Sequence, residues 1–337
     1  MEYLRLFDWY HTNKRDLPFR KTSNPYLIWV SEVMLQQTQV DTMLPYYERF
    51  IKRFPTVESL ALSTIEEVLT IVSGIGYYKR FRMLKKGASY VYSNLDGILP
   101  KTYDELRKIP GIGAYTAGAI MSIAYNLAYP ATDGNVIRVL SRVYEINDDF
   151  RLDKHRKKLD IFNKELIERS NNPHDYTQSM MELGATVCKK SNPDCKACPL
   201  NSICLAKKHQ TTMNYPVLSP LKSKKEINYF VFILKYEETF IVRKRTEELL
   251  NGFNEFIFIE SDSLNGALLK LEALGFDVVI YENYPKVKHV FTHLVWHMEV
   301  YSGISKKVPD SYLTIKNFSN MPLSTVMDKL IKTTHLI

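Results

Sequence analysis

The stretch that most constrains this chain is residues 109–120, IPGIGAYTAGAI. A helical run from Tyr103 stops at Pro110, whose ring cannot continue a helix. Gly111 and Gly113 then permit a tight hairpin, because glycine enters backbone regions closed to other residues. The next run, 114–127, is rich in small and apolar residues and reads as a buried helix. Such a hairpin leaves backbone N–H groups at a helix N-terminus, where orphan donors and the helix dipole attract phosphate. Taken alone, it fits a glycine-rich turn between helices as well as a grip on a nucleic-acid backbone that reads no sequence.

Charge bears on that choice. The formal net charge is +8, and residues 228–337 carry 12 Lys and Arg against 13 Asp and Glu. The basic surplus therefore lies ahead of residue 228, in the part that holds the hairpin, and suits a polyanionic partner. No run of eighteen apolar residues occurs, which argues against a membrane-spanning helix. The start, MEYLRLFDWYHTNKR, has the pattern of an amphipathic helix and lacks the apolar core of a signal peptide. The expectation is a monomeric cytoplasmic protein, nucleoid-associated in a bacterium, with no membrane partner.

Residues 1–206 read as almost all helix, with candidates at 31–38, 43–54, 64–72, 78–94 and 155–170. Residues 207–227 shift to Lys, His and Pro, the composition of a solvated linker. Residues 228–337 read as a small α+β domain. Its expected strands are 228–236 and 239–245 around Glu237 and Glu238, then 276–281 and 295–301, with helices near 264–274 and 324–331.

All four cysteines, Cys188, Cys195, Cys198 and Cys204, fall within seventeen residues. In a reducing compartment such clustering indicates a metal site rather than disulfides. Only Cys195 and Cys198 form a CxxC pair; zinc and a cubane iron–sulfur cluster both take four thiolates, so spacing leaves the metal open. Lys189, Lys190 and Lys196 make the loop basic, which suits contact with phosphate.

The hairpin, the six-two-five cysteine spacing and Asp133 beyond the hairpin together resemble the helix-hairpin-helix, iron–sulfur DNA glycosylases of the endonuclease III superfamily. More narrowly, WVSEVMLQQTQV (29–40), GIGYYKR (74–80), GIGAYTAGAI and DGNVIRV (133–139) resemble the MutY branch, adenine glycosylases that act opposite 8-oxoguanine. The resemblance covers essentially the whole chain. It implies an all-α helix-hairpin-helix glycosylase domain with an iron–sulfur cluster loop, followed by a C-terminal α+β Nudix-like domain. It also implies one 4Fe-4S cluster on the four cysteines and, as partner, double-stranded DNA carrying A:8-oxoguanine or A:G mispairs.

Hydrolysing an N-glycosidic bond requires a protonated leaving base and a stabilised cationic sugar, work that two carboxylates in different states can share. Glu32 sits in VSEVMLQQ, an apolar and neutral setting whose burial would raise its pKa. Asp133 precedes Gly134 and Asn135 and could equally be a helix cap. The resemblance implies that Glu32 protonates adenine N7 and assists water, and that Asp133 stabilises the oxocarbenium ion or captures it covalently, with Tyr115 and Asn135 orienting them. Lyase relatives carry a lysine nucleophile where this chain has Tyr115, so base removal without strand cutting is expected. The resemblance also places Gln37 and Tyr77 at the strand opening, with Leu35, Thr38 and Ile75 beside them, although core packing would explain Tyr77 as well. It assigns Gly111 and Gly113 to the DNA backbone and Arg20 and Gln178 to the adenine pocket. Phe291, Thr292 and His293 would probe the oxidised guanine, though a half-buried strand end accounts for them too. Phe19, Asn254 and Thr292 depart from the family pattern, which has Trp, Trp and Ser there. Residues 264–276 lack the clustered glutamates of a metal-holding Nudix hydrolase site. The alternatives are a bifunctional endonuclease III-like lyase and a non-enzymatic iron–sulfur damage sensor.

Overall fold

The structure, a computed structural model, describes residues 2–221, 223–318 and 321–336; Lys222, in the expected linker, lies outside them. The chain divides into two compact units. One comprises Met1–Leu62 and Met83–Pro220, the other Ser63–Arg82 and Leu221–Ile337.

Helices run through the first two-thirds of the chain: α1 (Glu2–Asn13), α2 (Pro25–Leu35), α3 (Val40–Arg53), α4 (Val57–Ala61), α5 (Ile65–Ile71) and α6 (Lys79–Asn94). Then come α7 (Tyr103–Lys108), α8 (Ala114–Ala119), α9 (Gly134–Tyr144), α10 (Asp153–Ser170), α11 (Pro173–Thr186) and α12 (Leu205–Lys208). Among the described residues no helix is long and apolar enough to cross a membrane.

The expected helix at 31–38 begins earlier and ends sooner, as α2. Asn24 caps its start by accepting from the Tyr26 and Leu27 N–H groups at 2.9 and 3.4 Å, and Pro25 occupies the first turn, where no N–H is needed. Eight of its eleven residues are buried, so α2 is a core helix on nearly every side. The expected long helix at 114–127 is instead α8 continued by a π-turn over Ile120–Ala124. Gly118 lets α8 approach residue 130 closely: a Cβ there would lie 1.9 Å from the Pro130 carbonyl oxygen.

The expected solvated linker is largely tied down. Phe150 N–H donates to the Val217 carbonyl at 3.1 Å, Ser219 N–H to Asp149 Oδ1 at 3.1 Å, and buried Arg142 reaches the carbonyls of Thr212 and Tyr215. Lys and Pro signal exposure, which the described residues of this segment keep, and the anchoring bonds add to it.

The second unit is built on a mixed sheet. Its strands are β1 (Lys225–Tyr236), β2 (Thr239–Lys244), β3 (Asn254–Glu255), β4 (Ile257–Glu260), β5 (Val278–Val290), β6 (Leu294–Ser305) and β7 (Leu313–Ile315). The order is β3-β2-β1-β6-β5, with β4 pairing β1 and β7 pairing β2. β1 runs parallel to β6 over Lys225↔Leu294 to Lys235↔Ile304. Alternate side chains enter two cores: Val231, Ile233, Trp296 and Met298 pack with helix α14 (Thr325–Thr333), and Phe230, Phe232 and Leu234 pack with α13 (Leu264–Ala273). Residues 63–82, which the sequence pattern groups with the helical part, pack here instead.

Candidate active site

Glu32, on the buried helix α2, is 5% exposed, and its Oε2 accepts a 2.6 Å hydrogen bond from the Tyr115 hydroxyl. Burial pushes its pKa up to about 7; the Tyr115 hydrogen bond opposes this, and the nearby Asp133 charge adds to it. A carboxylic acid is thereby kept half protonated near neutral pH. Burial and the charges of Glu32 and Asp133 in turn hold the Tyr115 hydroxyl firmly protonated.

Asp133 does cap α9: its Oδ1 accepts from Val136 N–H at 2.7 Å. Its Oδ2 accepts from Asn135 Nδ2 at 2.8 Å. Capping and site geometry therefore coexist in one residue. Burial raises its pKa, while these donors and Arg138 oppose the rise by favouring the ion. Asn135 Oδ1 accepts from Arg138 at 2.8 Å, and Arg138 also donates to the Cys188 carbonyl at 2.7 Å. The four sequence-predicted catalytic residues thus form one hydrogen-bonded and electrostatically linked group, two carboxylates of unlike environment at its centre.

Arg20 ends a short 3₁₀ turn (Pro18–Arg20) and pairs with Glu182 at 2.5 Å. Glu182, fully buried on α11, also takes Arg15 at 2.8 Å. Burial disfavours its charge, but the two arginines outweigh it and hold its pKa down at about 2. One guanidinium nitrogen of Arg20, Nη1, is buried with no hydrogen-bond partner. The sequence reading missed Glu182. The signal was available: Glu182 lies four residues beyond Gln178, one helical turn along the same face. Gln178 itself accepts from Tyr10 at 3.1 Å and contacts His174 at 2.8 Å. Phe19 is buried edge-on against Tyr47, an apolar contact that requires no donor.

In the hairpin, Gly111 takes φ +86°, and a Cβ there would lie 2.9 Å from the Met83 Cβ. Gly113 takes φ −80° as N-cap of α8, and a Cβ there would make only an ordinary contact with Arg107 Nη1 at 3.8 Å. Leu35 ends α2, so Gln37 and Thr38 lie in the turn beyond; Gln37 is exposed at φ 58°.

Ile75 and Tyr77 belong to the second unit; Tyr77 is 49% exposed. Residues 291–293 form the tip between β5 and β6, closed by Phe291 N–H donating to the Leu294 carbonyl at 2.8 Å. Phe291 turns inward against Trp296, with ring centroids 4.8 Å apart, and leaves Thr292 and His293 exposed. Asn254 sits in β3 opposite Lys244, between the buried Phe253 and Phe256.

The four cysteines are free thiols lining one cavity with Leu183 and Arg142. Burial raises the Cys198 thiol to about 12, and the other three cysteines add to the rise, so all four are within electrostatic reach. Among the described residues no group of three or more His, Cys, Asp or Glu is arranged to hold a metal ion. Arg142 secures the loop, donating to the Lys189 and Lys190 carbonyls at 2.7 and 3.1 Å and toward Cys188 Sγ at 3.4 Å.

Residues 30–168 match the HhH-GPD superfamily base excision DNA repair protein family, and residues 229–333 match the NUDIX domain family. An adenine DNA glycosylase of Buchnera aphidicola subsp. Acyrthosiphon pisum (strain APS) is 36% identical over 297 residues, covering 87% of this chain and 83% of that protein. The Homo sapiens adenine DNA glycosylase is 43% identical over 211 residues, 60% of this chain and 38% of that protein. A solved thermostable thymine-DNA glycosylase shares the fold at TM-score 0.54 and 23% identity, covering 61% of this chain and 95% of that one.

Proposed function

The chain belongs to the adenine DNA glycosylase family and is a DNA glycosylase of base excision repair, and from that premise we propose that its substrate is adenine mispaired with 8-oxoguanine or guanine in double-stranded DNA. The observation that carries this reading is the pair Glu32 and Asp133. One carboxylate is buried and poised near pH 7, and the other is held by N–H donors.

A base must leave the stack before it can be cut from its sugar. Glu32, as the acid, donates its proton to adenine N7 and makes the base a better leaving group. Asp133, as the ion, faces the positive charge that develops on the sugar, and water then adds at the sugar C1′ while Glu32, now ionised, takes up the proton the water gives up. Tyr115 and Asn135 orient the two carboxylates. Arg20, held by Glu182, offers its Nη1 N–H as a donor to the base edge. With Tyr115 in place of an amine nucleophile, base removal proceeds without a strand cut. Gln37 and Tyr77 fill the opened strand beside Leu35, Thr38 and Ile75, and Thr292 with Phe291 and His293 reads the opposite base. Gly111 and Gly113 let backbone N–H groups meet phosphate.

Cys188, Cys195, Cys198 and Cys204, which line one cavity, would hold one 4Fe-4S cluster, and its binding would order the basic loop. The reading is tested with Asp133→Asn and Glu32→Gln in a mispair duplex. Each is expected to stop adenine release while duplex binding persists. Loss of binding with the fold intact would remove these residues from catalysis.

A further inference from the structure

Residues 74–77 concentrate three left-handed backbone positions: Gly74 at φ 91°, Gly76 at 78° and Tyr77 at 49°. Glycine enters this region freely; tyrosine does so only where its surroundings hold it there. Several hydrogen bonds fix the bend. Ile75 N–H donates to the Val72 carbonyl at 3.2 Å, and Gly74 N–H donates to the Tyr78 hydroxyl at 3.0 Å. Buried Arg80 donates to the Gly76 carbonyl at 3.3 Å and lies 5.9 Å from the Tyr77 ring centroid.

The two residues that flank the loop are anchored in the C-terminal part of the chain. Ser73 Oγ donates to the Leu323 carbonyl at 2.8 Å and accepts from Leu323 N–H at 3.3 Å. The Tyr78 ring packs on Phe253 with centroids 4.3 Å apart, and its hydroxyl lies 3.5 Å from Thr325 Oγ1 at the start of α14. One turn on, Arg82 donates to the Asn251 carbonyl, and Gly252 leaves room for it; a Cβ there would meet Arg82 Nη2 at 2.6 Å.

We infer that Ser73 and Tyr78 are positioning residues through which the C-terminal domain holds the Tyr77 loop bent for insertion beside the mispair. This rests on the reading of Tyr77 as a strand-opening residue. The domain then acts on the opposite base twice: directly at the tip 291–293, and indirectly by keeping Tyr77 aimed. Neither Ser73 nor Tyr78 touches the Glu32 and Asp133 chemistry, which lies in the other unit.

The test uses the full chain with Ser73→Ala, Tyr78→Phe and the conservative Ser73→Thr. Amide hydrogen exchange over residues 74–77 is read in the free protein. Single-turnover adenine release is read opposite 8-oxoguanine and opposite guanine. Losing one hydrogen bond should speed exchange in this loop about tenfold. The preference for the 8-oxoguanine duplex should fall by a similar factor through weaker binding, while the release rate opposite guanine at saturating protein is unchanged. Ser73→Thr, which keeps the hydroxyl, should restore both. Exchange that stays slow, or that quickens while the preference is untouched, overturns the inference. A wild-type chain with no preference overturns the substrate reading instead, and the exchange result then decides the clamp: acceleration upholds it and no change overturns it.

Discussion

Glu32 carries opposite consequences for stability and for activity. Its folded pKa of about 7 lies above the ordinary 4.5 because burial disfavours the ion. The protonated acid is accommodated in full below pH 4.5, and that contribution is lost as the pH rises through 7. The span corresponds to about 3 kcal/mol. Glu32→Gln cannot ionise, so it should melt higher than wild type at pH 8 by an amount on that order, and no higher at pH 4. The same substitution should slow adenine release by a factor on the order of 10²–10⁴. A variant that is both inactive and less stable at pH 8 would contradict this account of the burial. Tyr115→Phe removes the hydrogen bond that lowers Glu32, so the alkaline limb of the rate profile should move to higher pH. A limb that moves to lower pH would show that the bond serves another group. Glu32 was legible because its neighbours in sequence are uncharged and the helix they form is buried. Glu182 went unread although it lies one helical turn beyond Gln178; its partners Arg15 and Arg20, 167 and 162 residues earlier, are brought to it only by the fold.

Two glycines in one hairpin have separable roles. Gly111→Ala must place a Cβ in left-handed backbone against Met83, and should cost on the order of 1–3 kcal/mol, seen as a lower melting midpoint. Gly113→Ala meets only the end of the Arg107 side chain at 3.8 Å, so stability should change by less than about 0.5 kcal/mol. Duplex binding should nevertheless weaken, because the methyl group stands at the N-terminus of α8 where phosphate approaches. If both variants melt alike and bind alike, the hairpin is a turn and nothing more. Pro and Gly made this element readable from sequence, as did the amphipathic runs that became α3, α6 and α10. The short strands β3, β4 and β7 went unread. Two to four residues carry too little periodicity to stand out, and their pairing is set by β1 and β2 far away in the chain.

At the scale of the molecule, composition divides the chain into two zones, whereas the contacts place residues 63–82 of the first zone in the second unit. Residues 63–82 look helical and precede the hairpin, but Ser73, Tyr78 and Arg82 find their partners beyond residue 250. No local pattern announces a partner that remote. The basic surplus ahead of residue 228 predicts that duplex affinity falls steeply with salt, on the order of 10³-fold between about 50 and 200 mM if some six phosphates are contacted. A flat salt titration would contradict the charge argument. The central claim, adenine removal by paired carboxylates without a nucleophilic amine, is met most directly by one cleavage assay. A labelled strand carries adenine opposite 8-oxoguanine, guanine or thymine, and each duplex is incubated with the protein and then split between hot alkali and none. Strand breaks on the adenine strand of the two mispairs, appearing only after alkali, are the predicted result. Breaks without alkali, or an intact strand despite tight binding of the 8-oxoguanine duplex, would contradict it.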